Sequence, residues 1–409
     1  MKVNINLQAY NLILSKDDIK LEKDFLYYIL YLLEIFPEVD EFGFVSISSV
    51  FLKNIKWNYN DYIQYLLSNK IIRCNNKYKV DGQALGYRLD DLSKELNEEI
   101  TYIEISDKYK NCFKSKDLSI EQEIMLKTYE SITIDEDVYK FLNSPTLKKN
   151  MGVDYVNKIS SHITNIKKGN IMITSSKTGR IFHPLCEMMS NLRYYVLIDN
   201  NRLWELDCSN SQPFFLALLI GETNLELYNN KDADLYRQLV ITGQFYDYFM
   251  NAYNKINTDV NADKNEIKMY LLQSFFSDEK DGRSRYRSKT RKVFQQVFPT
   301  VYNFIINFKK DNYKELAYKL QEMESTVFVK EFNELFESKF LNCHDAIYVY
   351  ESNIEYAKNT LIDIFHKKYG VIPNIKIKAT ESICSINSLV KERKQRIEFK
   401  KKINKNWSN

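Results

Sequence analysis

Residues 203–219, LWELDCSNSQPFFLALL, decide how the chain is organised. Leu203, Trp204 and Leu206 predict a short buried strand, and Asp207 stands where that strand ends. Residues 213–219 predict the start of an apolar helix. A carboxylate at the end of an apolar strand is expensive to bury unless a metal or a partner compensates it. Asp207 is therefore the first functional candidate. The competing reading is a helix N-cap, a position where Asp, Ser and Asn crowd.

Outward from this stretch, the 409 residues suggest two or three domains. A hydrophobic content of 44% against 27% charged residues excludes wholesale disorder. With only 10 Gly and 6 Pro, long regular elements, mostly helices, are expected. The 30 Tyr and 24 Phe offer stacking surfaces for bases, although an AT-biased coding sequence enriches the same residues. A net charge of +4 is too small to establish nucleic-acid binding, so clustering matters more than the total. Cys74, Cys112, Cys186, Cys208, Cys343 and Cys384 are scattered without a CxxC pair, which argues against zinc and for reduced thiols in the cytoplasm. There is no signal peptide and no apolar run of roughly 18 residues, so no membrane partner is expected.

Before the central stretch, residues 19–36 predict an apolar helix ended by Pro37, and residues 46–55 and 60–68 predict two more. Ile71 and Ile72 begin a strand, Asn75 and Asn76 a turn, and residues 78–80 and 86–89 two further short strands. This order, over about residues 18–90, resembles the winged-helix modules of replication initiators and phage replication proteins. The resemblance implies DNA binding, with Lys53, Lys56, Lys70, Arg73, Lys77 and Lys79 as phosphate contacts. A protein-docking or purely structural module fits the same pattern. Residues 91–150 are charged and predict a helical connector, with LSIEQEIMLKTYESI showing apolar spacing at i, i+3 and i+4.

Further motifs flank Asp207. Thr178-Gly179-Arg180 and Asn191-Leu192-Arg193 precede it, and Ser209 follows it by two positions. In DKNEIKMYLLQSFFSD (263–278), Lys264 and Lys268 are four apart and share one helix face, continued by Leu271 or Leu272 and by Phe275 or Phe276. Such a lysine pair is more often a solvated face than a site. In SKFLNCHDAIYVYES (338–352), residues 340–343 and 346–350 predict two strands joined by a tight turn at His344 and Asp345. NIEYAKNTLIDIFHKKYG (353–370) predicts a helix and VIPNIKIKAT (371–380) a strand after them.

Taken together and in this order, the motifs over about residues 150–382 resemble the palm and fingers of family A DNA polymerases and the single-subunit polymerase superfamily. The Asp207 stretch is similar to motif A, the lysine helix to motif B, and the His344-Asp345 hairpin to motif C. The resemblance implies that Asp207 and Asp345 hold two Mg²⁺ ions, with Mn²⁺ able to substitute. It implies that Lys264 and Lys268 bind the triphosphate, that Phe276 packs at the nascent base pair and that Gln212 sits near the sugar. Arg180, Arg193 and His344 would contact nucleic acid. The chain departs from the family at Ala346, where a Glu is usual, and at Gln212, where the DNA polymerases carry a Glu that excludes the ribose 2′-hydroxyl. The short tract between Lys268 and Asp345 implies reduced fingers. YxDD, the mark of reverse transcriptases, is absent.

Two basic stretches add to the nucleic-acid reading. DGRSRYRSKTRK (281–292) carries Arg283, Arg285 and Arg287, and the tail VKERKQRIEFKKKINKNW (390–407) is rich in lysine. The expected fold is therefore α+β and mostly helical, with an antiparallel palm-type sheet backed by helices. The expected division is a winged-helix-like domain over 1–90, a connector over 91–150, palm and fingers over 151–385, and a basic tail over 386–409. The expected function is a template-directed nucleotidyltransferase, DNA polymerase-like, extending a primer on DNA with nucleoside triphosphates in replication of a phage, plasmid or mobile element. The alternatives are a DNA-binding initiator or defence factor with a non-catalytic palm, or a primase-like or template-independent polymerase.

Overall fold

Apolar side chains gather into two separate cores, one drawn from residues 3–109 and the other from residues 125–389. The computed structural model describes residues 2–16, 20–35, 44–76, 84–90, 100–109, 118–258, 262–277, 285–380 and 385–405. Over these the fold is mixed α+β, predominantly helical, with small antiparallel sheets. No described helix is long and apolar enough to cross a membrane.

In the first core, β1 (Lys2–Asn6) leads into α1 (Leu7–Leu14), with the Asn6 side chain accepting the Ala9 N–H at 3.0 Å as N-cap. Next comes α2 (Lys23–Ile35), in which every residue from Phe25 to Leu33 is buried. A helix that is apolar all round must be enclosed on all sides. Here α1, β1, a later helix (Tyr59–Ser68), a later strand (Gly86–Leu89) and a helix of the second core (Val153–Lys167) do so. The chain then runs through β2 (Val45–Ser46), α3 (Ser49–Ile55), α4 (Tyr59–Ser68), β3 (Ile72–Cys74) and β4 (Gly86–Leu89), and the strands form a sheet in the order β2-β4-β3. The strand expected over 78–80 lies outside the described residues. The expected connector divides between the cores. β5 (Ile100–Glu104) pairs with β1, Lys2 opposite Glu104, and supplies the hydrogen-bond partners that β1 requires.

The remainder of the connector, from α5 (Ile120–Glu130) through β6 (Ile132–Ile134), α6 (Asp137–Leu142) and α7 (Pro145–Met151), belongs to the second core. After α8 (Val153–Lys167) come β7 (Thr174–Ser175), β8 (Ile181–Phe182), the short α9 (Pro184–Glu187) and β9 (Val196–Ile198). The long strand β10 (Asn201–Cys208) runs directly into α10 (Ser211–Thr223). A helical block follows: α11 (Lys231–Ile241), α12 (Phe245–Ile256), α13 (Lys264–Phe276), α14 (Arg285–Val297) and α15 (Pro299–Phe308). Tyr236, Phe245, Phe249, Phe294 and Phe298 form its fully buried aromatic centre. The helix α16 (Glu315–Ser325) continues as a π-helical turn, Thr326–Glu331, into α17 (Phe332–Leu335). Then β11 (Leu341–Cys343), β12 (Ala346–Tyr350), α18 (Ile354–Tyr369) and β13 (Ile375–Ala379) return the chain to the sheet.

That sheet has the order β11-β12-β10-β9-β6, with β13 also on β10. All its pairings are antiparallel. One face is covered by α10 and α18, where Phe214 and Phe215 meet Phe365 at ring distances of 5.6 and 6.1 Å. The expected basic tail is α19 (Ile386–Lys405), and its start is docked rather than free. Leu389 is buried, and the Glu392 carboxylate accepts hydrogen bonds from Ser190 N and Oγ, both at 3.0 Å.

Candidate active site

The register of β10 and β12 places Asp207 opposite Ala346, so Asp345 at the hairpin tip lies against the end of β10. The Cys208 N–H donates to the Asp345 carbonyl at 3.2 Å and locks the two segments together. The tip is tight because His344 takes φ +58°, a left-handed conformation that Asn, Asp and His enter more readily than most residues. Asp207 does not cap the following helix. Asn210, at φ +57°, is the N-cap residue of α10, three positions beyond it.

The two aspartates are distant in sequence, yet the charge of Asp345 acts on Asp207. Burial pushes Asp207 up to about 6, and the charges of Asp345 and Glu205 act in the same direction. Burial also raises Asp345, against the pull of Lys268 and Arg180. A third carboxylate stands behind them and carries no sequence signature. Glu324, on α16 and only 1% exposed, is pushed up to about 7 by burial and then by the charge of Asp345. It accepts from Arg180 Nε at 2.8 Å, from Ser211 Oγ at 3.1 Å and from Gln212 Nε2 at 2.5 Å.

The expected site residues separate into three groups. Lys268 is exposed on α13, 6.0 Å from the Tyr246 ring, and its charge reaches both aspartates. Lys264, one turn earlier, points elsewhere and pairs with Asp247 at 2.6 Å. Gln212 keeps its Oε1 buried without a hydrogen-bond partner, and His344 does the same with its Nδ1. The His344 ring lies 5.5 Å from Phe182, and burial lowers it to about 4, so it is neutral. Phe276 is half-buried at the rim of the helical block, while its neighbour Phe275 packs into the core against Phe294.

Arg180 is engaged with Glu324 at 2.6 Å rather than projecting from the surface. Arg193 requires a correction. Its guanidinium is buried, donates to the Tyr348 hydroxyl and to Cys343 Sγ at 3.4 Å, and lies over the Tyr348 ring, so it holds the hairpin instead of facing a ligand. Arg283 lies outside the described residues, and Arg285 and Arg287 fall in the first turn of α14.

A buried relay braces the hairpin from below. The Asn342 carbonyl of β11 can only accept, so His183 Nε2 donates to it, and burial keeps the ring neutral. That leaves His183 Nδ1 to accept from the Tyr129 hydroxyl at 2.8 Å, whose oxygen in turn accepts the Leu185 N–H at 3.0 Å.

Among the described residues, no group of three or more His, Cys, Asp and Glu side chains has metal-holding geometry. The arrangement offers two half-buried carboxylates with the exposed Lys268 ammonium near enough for its charge to act on both. No family model matches the chain, and no curated protein is significantly similar to it.

Proposed function

We propose that the chain is a template-directed nucleotidyltransferase that extends a primer 3′-hydroxyl with nucleoside triphosphates. The observation that carries this reading is the apposition of Asp207 and Asp345 at the ends of β10 and β12, faced by Lys268. The donor set suits Mg²⁺ or Mn²⁺. It consists of oxygens, and two carboxylates held above their ordinary range by burial, with the charge of Asp345 adding to the rise at Asp207, are stabilised when a divalent cation lets both ionise. Two such ions, when bound, lower the pKa of an attacking hydroxyl and neutralise charge on a triphosphate and its leaving pyrophosphate.

The chain's own groups divide the remaining work. Asp207 and Asp345 hold the ions. Lys268 supplies a mobile positive charge to the triphosphate. Gln212, fixed by its bond to Glu324, is assigned to the sugar of the incoming nucleotide. His344, neutral at the hairpin tip beside Asp345, is assigned to the primer end.

The first core supports a DNA-binding accessory through its helix–strand–helix–helix–strand–strand order and three-stranded sheet, the order of a winged helix. Its electrostatic footprint is thin. Lys56 pairs with Glu22 and Arg73 with Asp90, both at 2.8 Å, while Lys53 and Lys70 are exposed. Lys77 and Lys79 lie outside the described residues. Replication of a phage, plasmid or mobile element is the setting such a combination suggests, by analogy alone.

The test is incorporation of labelled dNTPs or NTPs on primed and unprimed templates with Mg²⁺ or Mn²⁺, using Asp345→Asn as control. Primer extension that copies the template and disappears in the variant supports the proposal. Template-independent growth would make it a tailing enzyme, and unprimed synthesis from NTPs a primase. No incorporation under any condition would leave a nucleic-acid-binding protein with a silent sheet.

A further inference from the structure

The strand β13 runs along β10 on the side away from β12, and among the described residues it pairs with no other strand. Its register sets Lys376 opposite Asp207 and Lys378 opposite Glu205. Directly opposed residues of an antiparallel pair project to one face. The two lysines therefore share the face of Asp207, while Ile375 and Ile377 turn to the other face and join the core.

Lys376 is exposed. Lys378 is 45% exposed and its amine stands 3.1 Å from Glu205, a carboxylate only 11% exposed. On the other side of the aspartates this face is closed by Arg193 over Tyr348. Along β13 the face that carries Asp207 is thus edged by two exposed cations.

Lysines on an edge strand also discourage strand addition by another chain. That role does not require them to share a face with the reactive carboxylates. Residues i and i+2 of a strand stand about 6.6 Å apart, a spacing comparable to that of successive phosphates along one nucleic-acid strand.

We propose that Lys376 and Lys378 form a two-phosphate track that seats the backbone of the primer strand beside Asp207 and Asp345, with Glu205 as the positioning residue that holds Lys378 upright. This rests on the nucleotidyltransferase reading. Nothing in the spacing of VIPNIKIKAT alone singles these lysines out; the register with Asp207 does.

The test is fluorescence anisotropy of the full chain with a labelled primer–template at 50–200 mM KCl in EDTA, so that no chemistry occurs. Lys376→Met is compared with the pair Glu205→Gln/Lys378→Met, which avoids leaving a buried carboxylate unpartnered. Each change should lower the slope of log K against log salt by about 0.9 on duplex or 0.7 on single strand.

An unchanged slope in both variants overturns the proposal, as does normal binding accompanied by self-association on size exclusion. In either case, template-dependent incorporation by wild type keeps the polymerase reading intact. If wild type incorporates nothing but the slopes still fall, the polymerase reading is lost and the track stands as a nucleic-acid contact. A wild type that does not bind removes both.

Discussion

Asp207 is the residue on which the proposed chemistry turns, and its protonation also bears on stability. Its folded pKa of about 6 lies above the ordinary carboxylate value, so between about pH 4 and 6 the folded chain holds a proton that the unfolded chain releases. The site therefore destabilises the ion-free protein as pH rises through that window, and the penalty is complete above it. Asp207→Asn should raise stability at pH 8 by about 2–3 kcal/mol in EDTA and leave it unchanged near pH 3.5, as read by urea denaturation. The same variant should lose about 10²–10³-fold in incorporation rate, since each carboxylate–ion contact is worth several kcal/mol in the transition state. An unchanged rate would remove Asp207 from the site. Protons and cations compete here, so the acid limb of the rate profile should lie near pH 6 at low Mg²⁺ and move downward as Mg²⁺ is raised. A limb that stays in place would mean that another group sets it. Asp207 and Asp345 were legible in the sequence because an apolar strand and a polar turn are local patterns. Glu324 was not, because an acidic residue in a helix looks solvated until α10 packs over α16. Arg193 was misread for the converse reason: its burial depends on Tyr348, far along the chain.

At the scale of the element, α13 separates two lysines that the sequence reads as equivalent. Lys264 is the first residue of the helix and is held by Asp247 on α12, whereas Lys268 is one turn further in and faces the groove. Lys268→Ala should raise the nucleotide KM by about tenfold, the effect of one charge-assisted contact, while Lys264→Ala should change it less than twofold. Equal effects on KM would return the pair to a common role. The β11–β12 hairpin depends on its tip in the same way. His344→Val forces a β-branched residue into a left-handed turn and should destabilise the fold by about 1–2 kcal/mol in thermal unfolding, whereas His344→Gly should not. If both variants melt alike, the turn is not under conformational constraint. The strand and helix boundaries of this region were readable to within a few residues, since periods of two and 3.6 are strong there. The π-helical turn at Thr326–Glu331 and the pairing of β1 with β5 were not, because neither leaves a periodic trace.

Over the whole molecule, the two apolar cores do not meet at the boundaries suggested by charge. The stretch over 91–150 is charged along its length, yet Ile100–Glu104 returns to the first core and Ile120 onward builds the second. Composition reports exposure along the chain, whereas core membership is decided by which strand needs a partner. The architecture also sets an order of events. β10 and β12 are neighbours, but more than a hundred residues and the entire block from α11 to α17 lie between them. Closing so long a loop is entropically slow compared with winding the helices inside it. During renaturation, ellipticity should therefore return ahead of the emission shift of Trp204, which lies on β10 opposite Val349, in a chain carrying Trp57→Phe and Trp407→Phe. Simultaneous recovery would show that the sheet assembles early. A nascent or partly refolded chain would then be well wound while Asp207 and Asp345 are still apart, and topology alone delays their meeting until the hairpin at 341–350 has been made.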